Sequence, residues 1–332
     1  MATLKDIAAK LNVSTSTVSK GMNGAPDISE SMRQLILDTA VELGYTKRSS
    51  RQKDKKKICL FFENIDYYLD DDFGHDIILG FKQAAFRENW DVEVIPLSHG
   101  FQKKRSYDAF MLGEKIVGSM ICGFAFDDPW MKDLETTKVP TVLFDNYLQE
   151  NPYLGSVGTD SLEGMELAVR HLVSLGHERI AYLAGPEDSY IARIRTDAYR
   201  RSMRMHHLPV VPELIAHDYF VYESAKPYTK DFLEHGATAI LCGNDLIAEG
   251  VIDECKKAGL SVPDEVSVLG YDDLPSTEKI DPPLSTIRQD RLMIGKSGYY
   301  ILHALINGVP LSRNLIRPRL IVRGSTAMVK PR

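Results

Sequence analysis

Between residues 14 and 23 the chain reads S-T-S-T-V-S-K-G-M-N, a stretch in which short hydroxyls and one lysine crowd around two core-seeking residues, Val18 and Met22. At helical spacing Val18 and Met22 share one face, and Thr15, Ser16, Thr17, Ser19 and Lys20 face outward. Serine and threonine are poor helix formers, so exposing them this densely weakens the helix locally and brings no packing in return. Their hydroxyls do bond phosphates and base edges in a DNA major groove. The chemistry indicated is duplex reading, with Thr15, Ser16 and Lys20 turned to base edges. Ser14, Thr17, Ser19 and Asn23 would hold phosphates or the local fold. A helical pair used only for packing needs none of these hydroxyls.

A second set of reactive side chains lies downstream. Asp145, Asn244, Asp272 and Asp273 each directly follow an apolar run, Gln289 follows another, and Arg195 starts the helical run after 179–184. Carboxylates, amides and a bidentate guanidinium suit a polyhydroxylated ligand, because each pairs with vicinal hydroxyls. Asp273 is the one better read as capping the turn that follows it. Of Arg193 and Arg195, only one can point inward. Nothing indicates turnover: there is no G-x-G-x-x-G, Walker loop or G-x-S-x-G, so no catalytic residue is assigned. Cys59, Cys122, Cys242 and Cys255 are scattered, three of them in apolar runs, and the nine histidines show no metal-ligand spacing. Neither a metal nor another cofactor is expected.

These residues need elements to hold them. Leu4, Ile7, Ala8 and Leu11 line one face of a first helix, with Thr3 at its N-cap and Asp6 three residues on. Asn12 breaks it and Ser14 caps the second helix, so a tight turn joins the two in a helix-turn-helix. Gly24 to Asp27 form a turn, Ser29 caps a third helix, and Met32, Leu35, Ile36, Ala40 and Leu43 give that helix its core face. Gly44 stops it. Residues 46–57, TKRSSRQKDKKK, contain no hydrophobic residue and read as a linker. From Ile58 short apolar runs (ICLFF, VEVIPL, SMICGF, TVLFD) alternate with amphipathic segments, and a second series (RIAYLAG, ELIAH, AILCG, VSVLGYDD) follows. Two such series imply two doubly wound α/β lobes with parallel sheets covered on both faces.

Length and charge agree. A chain of 332 residues suggests two or three domains. No signal peptide opens it and no apolar run approaches about 18 residues, so the cytoplasm is the expected compartment and no membrane partner is expected. The net charge of −6 is unevenly spread: residues 1–57 hold eleven Lys and Arg against six acids, a net +5, which leaves −11 on the other 275 residues. A basic head on an acidic body directs a polyanion to one end.

The run L-K-D-I-A-A-K-L-x-V-S-x-x-T-V-S-K-x-x-N resembles the DNA-reading headpiece of the lactose-repressor family of bacterial transcription regulators. V-E-L-G-Y near residue 44, H-L-V-S-L-G-H-E-R-I-A-Y-L-A-G at 171–185, R-x-R at 193–195, G-N-D at 243–245, G-Y-D-D at 270–273, P-L-S-T-I-R-Q-D at 283–290 and L-I-V-R-G-S-T at 320–326 carry the resemblance along the chain. It implies a headpiece (1–45), a basic hinge (46–57) and a two-lobe, periplasmic-binding-protein-like body (58–332). The first lobe would take 58–159 and 291–318, and the second 160–290 and 319–332. It further implies a homodimeric repressor, nucleoid-associated, on a palindromic operator in double-stranded DNA, controlled by a small carbohydrate-like effector bound between the lobes. Arg195, Asn244, Asp272 and Gln289 are its implied effector contacts, with Asp145 beside them and Tyr219 as a stacking aromatic. Phe73 and Tyr67, in the first-lobe loop 63–73, would line the pocket. The acids 66 and 70–72 of that loop read either as a preference for a cationic ligand or as a solvated acidic loop. Co-repression by a metabolite, as in purine-type regulators, uses the same fold, and a transport solute-binding protein shares the body but not the basic head. The chain departs from the family pattern in the hinge, with Lys47 where the proline would fall and Asp54 where the leucine wedge would fall. Lys47, Arg48 and Arg51 then read as phosphate-tracking or minor-groove residues, or as part of a solvated tether.

Overall fold

The computed structural model describes residues 2–45 and 56–330. The linker residues Lys47, Arg48 and Arg51 lie outside them. The N-terminal segment forms α1 (Leu4–Leu11), α2 (Thr15–Met22) and α3 (Glu30–Glu42). Local chemistry sets each boundary. Thr3 and Asp6 form a reciprocal capping box, with Thr3 N donating to Asp6 Oδ2 at 2.7 Å and Asp6 N to Thr3 Oγ1 at 3.4 Å. Asn12 ends α1 in the left-handed region at φ 54°. Ser14 caps α2 by accepting from Thr17 N at 3.0 Å, and Ser29 caps α3 by accepting from Met32 N at 3.2 Å. Gly44, at φ 66°, supplies the left-handed stop after α3. Ile7, Ala8, Val18, Met22, Ile36 and Ala40 are buried together. One expectation fails: Leu35 is 48% exposed and Leu37 is fully buried instead.

The body runs β1 (Lys57–Phe62), α4 (Phe73–Phe86), β2 (Asp91–Pro96), α5 (His99–Gln102), α6 (Tyr107–Gly113), β3 (Ile116–Cys122), α7 (Pro129–Leu134), β4 (Thr141–Phe144), β5 (Leu154–Thr159), α8 (Ser161–Ser174), β6 (Ile180–Ala184), α9 (Tyr190–Met205), β7 (Ile215–His217), α10 (Ala225–Glu234), β8 (Ala239–Cys242), α11 (Asp245–Lys257), β9 (Ser267–Asp272), β10 (Ser285–Arg288), α12 (Arg291–Ile306), β11 (Arg313–Ile316) and β12 (Arg319–Ile321). One sheet has the order β11-β5-β4-β3-β1-β2 and the other β12-β10-β9-β8-β6-β7. β1 pairs parallel with β2 and β3, β3 with β4, β6 with β7 and β8, and β9 with β8 and β10. β12 departs from the all-parallel expectation, joining β10 antiparallel with Ile287 opposite Leu320.

Continuous apolar strands are explained by two-sided burial. Along β6, Ala181 and Leu183 enter a core with Ile240, Ile247, Val251 and Phe232, whereas Ile180 and Tyr182 enter one with Met165, Leu172, Leu269 and Tyr199. In the first sheet Phe61, Tyr107 and Trp130 pack edge to face, with Phe61 and Trp130 centroids 5.4 Å apart. All four cysteines are buried and unbridged.

The chain divides into two compact units: residues 1–64, 81–156 and 296–313, and residues 65–80, 157–295 and 314–332. Residues 65–80, expected in the first lobe, keep company with the second unit. Asp76 there pairs with Arg291 at 3.1 Å, Asp71 with Lys279 at 3.6 Å, and a Cβ on Gly80 would lie 2.0 Å from the Leu292 carbonyl oxygen. The headpiece belongs to the first unit. Among the described residues no helix is long and apolar enough to cross a membrane.

Candidate nucleic-acid interface and ligand site

On α2 the inward side chains are Val18, Gly21 and Met22. Gly21 lets α2 approach α3 closely, since a Cβ there would sit 2.5 Å from Ile36 Cδ1. Thr15, Ser16, Lys20 and Asn23 are exposed, and Thr17 and Ser19 are half-buried. Ser14 and Thr17 hydroxyls bond each other at 2.8 Å, and Asn23 Nδ2 donates to the Ser19 carbonyl at 2.9 Å. Ser14, Thr17 and Asn23 are thus engaged in shaping the helix, whereas Thr15, Ser16 and Lys20 form its outward face. Lys20 pairs with Asp27, which holds that carboxyl below its usual range. This partner comes from across the following turn, seven residues on, a spacing that carries no helical signal.

The second unit gathers most of the expected ligand residues at the C-terminal ends of adjacent strands β8, β9 and β10, where open α/β sheets bind ligands. Arg195, 3% exposed, donates from Nη1 to the Gly243 carbonyl at 3.0 Å and lies over the Tyr271 ring, 3.9 Å from its centroid. Asn244 caps α11, accepting from Ile247 N at 2.9 Å, and donates to the Phe220 carbonyl at 3.1 Å. Asp272 Oδ1 accepts from Gln289 Nε2 at 2.6 Å. Gln289 is 3% exposed, and its Oε1 is buried with no hydrogen-bond partner among the described residues. An orphaned amide oxygen beside a carboxylate and a guanidinium is what a hydroxyl-bearing ligand would satisfy. Asp272, at φ 128°, and Asp273, at φ 58°, hold strained backbone, as side chains fixed at binding sites often do.

Burial pushes the Asp272 carboxyl up to about 6, against the pull of Arg195, Gln289 and Arg291. Asp245 is also raised, first by burial and then by Asp272; it accepts from Thr286 Oγ1 at 2.6 Å and from Leu274 N at 2.8 Å, and so clamps the β9–β10 end. Asp273 is tied down by Arg323 at 2.8 Å and by Arg288. Arg193 donates outward to the Glu187 carbonyl. Tyr219 is 69% exposed, which leaves its ring open to stack. Phe73 lies half-buried at the start of α4, 5.8 Å from the Arg291 guanidinium, which also bonds the Asp272 and Asp273 carbonyls at 3.3 Å. Tyr271, Arg291 and Asp245 were not assigned as contacts from the sequence. Their positions inside recognisable motifs were the available signal, but their partners lie far along the chain.

Asp145 lies apart from this group, in the first unit, directly after β4 at φ 50°. That unit holds another acid cluster that sequence spacing did not reveal. Glu63, after β1, bonds Asp128, before α7, and Gln102 Nε2 donates to both, at 3.0 Å to Asp128. Gln102 Oε1 accepts from Trp130 N at 3.1 Å, and His99 Nδ1 is 3.5 Å from Asp128. Burial, then the Asp128 charge, pushes Glu63 up to about 7. The folded state therefore holds a proton that the unfolded chain releases near 4.5, and stability declines as pH rises from about 4.5 to about 7. Glu63→Gln keeps the neutral form. Its melting temperature should exceed the parent's at pH 8 and nearly equal it at pH 5, and an equal offset at both pH values would exclude a raised Glu63 carboxyl.

Three comparisons bear on these sites. Residues 3–47 match the family described as bacterial regulatory proteins, lacI family, and residues 169–326 match a periplasmic binding protein-like domain. The HTH-type transcriptional repressor CytR of Escherichia coli strain K12 is 29% identical over 334 residues, covering 98% of this chain and 96% of that protein. The Lac repressor bound to ONPG in its repressed state superposes with a TM-score of 0.71 at 27% identity, covering 98% of this chain and 99% of that one. The transcriptional regulator CelR–cellobiose complex shares the fold, with a TM-score of 0.75 at 24% identity and coverage of 98% and 100%.

Proposed function

We propose that this chain, whose residues 3–47 match the lacI family of bacterial regulatory proteins and which is 29% identical to a transcriptional repressor over 98% of its length, is a sequence-specific transcriptional repressor working as a homodimer in the cytoplasm, at the nucleoid. The observation that carries the reading is the outward face of α2, where Thr15, Ser16 and Lys20 are exposed on a capped helix whose opposite face is buried. Lys20 exchanges Asp27 for a base edge on binding. The basic residues Lys47, Arg48 and Arg51 add phosphate contacts, which bring salt dependence but no base preference.

Its effector is a small polyhydroxylated molecule, a sugar by preference, held by Arg195, Asn244, Asp272 and Gln289, with Tyr219 and Phe73 as apolar walls. The buried Gln289 oxygen supports this reading most directly, because a ligand hydroxyl would complete it. Ligand binding shifts the population between operator-competent and incompetent states, by no more than its difference in affinity for the two.

The test is selection from a random duplex pool with ligand-free protein at near-physiological salt. The expected product is a palindrome with half-sites about one helical turn, ~10 base pairs, apart. Failure to enrich any sequence under conditions where the protein binds bulk DNA would overturn the reading.

A further inference from the structure

Helix α3 has two working faces. Ile36, Ala40 and Leu43 close the headpiece, and Arg33 and Leu37, one turn apart, face α6 of the first lobe. Leu37 is fully buried. Its Cδ1 lies 2.9 Å from where a Cβ on Gly113 would be, so the bare end of α6 provides the seat. Ala109 joins the same apolar cluster and Leu112 packs against it. Four alternating charges close a ring around this contact: Arg33 pairs with Glu114 at 3.4 Å and Glu30 at 3.8 Å, and Arg105 with Glu30 at 2.5 Å and Glu114 at 3.8 Å. Arg33 Nη2 also donates to the Gly113 carbonyl at 3.2 Å.

We propose that this α6 face is a docking surface for the chain's own headpiece, which holds the reading helix oriented on the first lobe before DNA arrives. Thr15, Ser16 and Lys20 stay exposed in the docked arrangement, so it is competent to read DNA. The intervening residues 46–57 contain no hydrophobic residue and so have nothing to bury in setting that orientation. A short tether keeps the two surfaces at an effective concentration in the ~mM range, at which a modest interface is well occupied. The consequence for operator affinity rests on the DNA-binding function proposed above, but the docking itself does not.

The test uses the full chain. The four native cysteines are buried, so spin labels can be directed to cysteines introduced at the exposed positions Asp38 and Lys104. Without DNA, the label-to-label distance should form a single narrow distribution. Glu30→Arg and Arg105→Glu should each broaden it, and the two together, which reverse the shortest pair but set the new charges against Arg33 and Glu114, should narrow it again only in part. A broad distribution in the otherwise unaltered chain, or a narrow one indifferent to both substitutions, would overturn the docking. The selected operator provides the second arm. Glu30→Arg and Arg105→Glu change net charge in opposite directions, yet each should lower the ratio of specific to non-specific affinity about tenfold, and the double variant should regain part of that loss. A raised ratio on undocking, or effects that follow net charge alone, would overturn the pre-orienting role. A narrow distribution in a chain that selects no operator would leave the docking standing and reject the DNA-reading function.

Discussion

Arg195→Ala should abolish the response to effector while leaving operator affinity within about twofold. Arg195 is buried between the Tyr271 ring and the Gly243 carbonyl, and its charge restrains the upward shift of Asp272. Losing a charge-assisted hydrogen bond from the guanidinium to a ligand hydroxyl costs about 1.5–3 kcal/mol, a loss of ligand affinity of roughly 10- to 150-fold. Operator affinity should be spared because Arg195 belongs to the second unit and the reading helix to the first. The measurement is operator binding titrated with the small molecules processed by genes flanking the selected operator, alongside thermal melting to establish folding. Lost operator binding by a folded variant would refute this division of labour. Arg195→Lys restores charge without the planar fork, so only partial response should return.

Lys20→Ala should lower affinity for the selected operator by about 1–3 kcal/mol, roughly 5- to 150-fold, as expected for a base-edge contact. Non-specific binding should fall much less. Asp27 matters to the size of this effect, because Lys20 leaves that partner on binding. Asp27→Ala should therefore strengthen operator binding modestly, and it should strengthen it less in a Lys20→Ala background. Equal losses on operator and random DNA for Lys20→Ala would demote the lysine to a phosphate contact.

The two sites differ in how they could be read from the chain. The headpiece was legible because its determinants are local. Thr3 with Asp6, Ser14 with Thr17 and Ser29 with Met32 are all three residues apart, within reach of a single helical turn. The alternating apolar runs gave both sheets for a similar reason, since two-sided burial leaves a continuous signature in each strand. The ligand residues were legible one by one, from their places after strands and their motifs. Their arrangement was not.

Amino-acid order alone thus determined the capped reading helix, the basic head on an acidic body and the two α/β lobes. These follow from backbone propensity, periodicity and charge count, which act over a few residues or over none. Tertiary structure alone decided which face of α3 is used twice, why Leu37 rather than Leu35 is buried, that residues 65–80 join the second unit, and that Glu63, Gln102 and Asp128 form one hydrogen-bond network in which burial raises the Glu63 carboxyl. It also set Arg291 against Asp76 across 215 positions of chain. Such contacts depend on which surfaces the fold brings within a few ångströms, and the energy of a buried pair is felt only after both partners have left water.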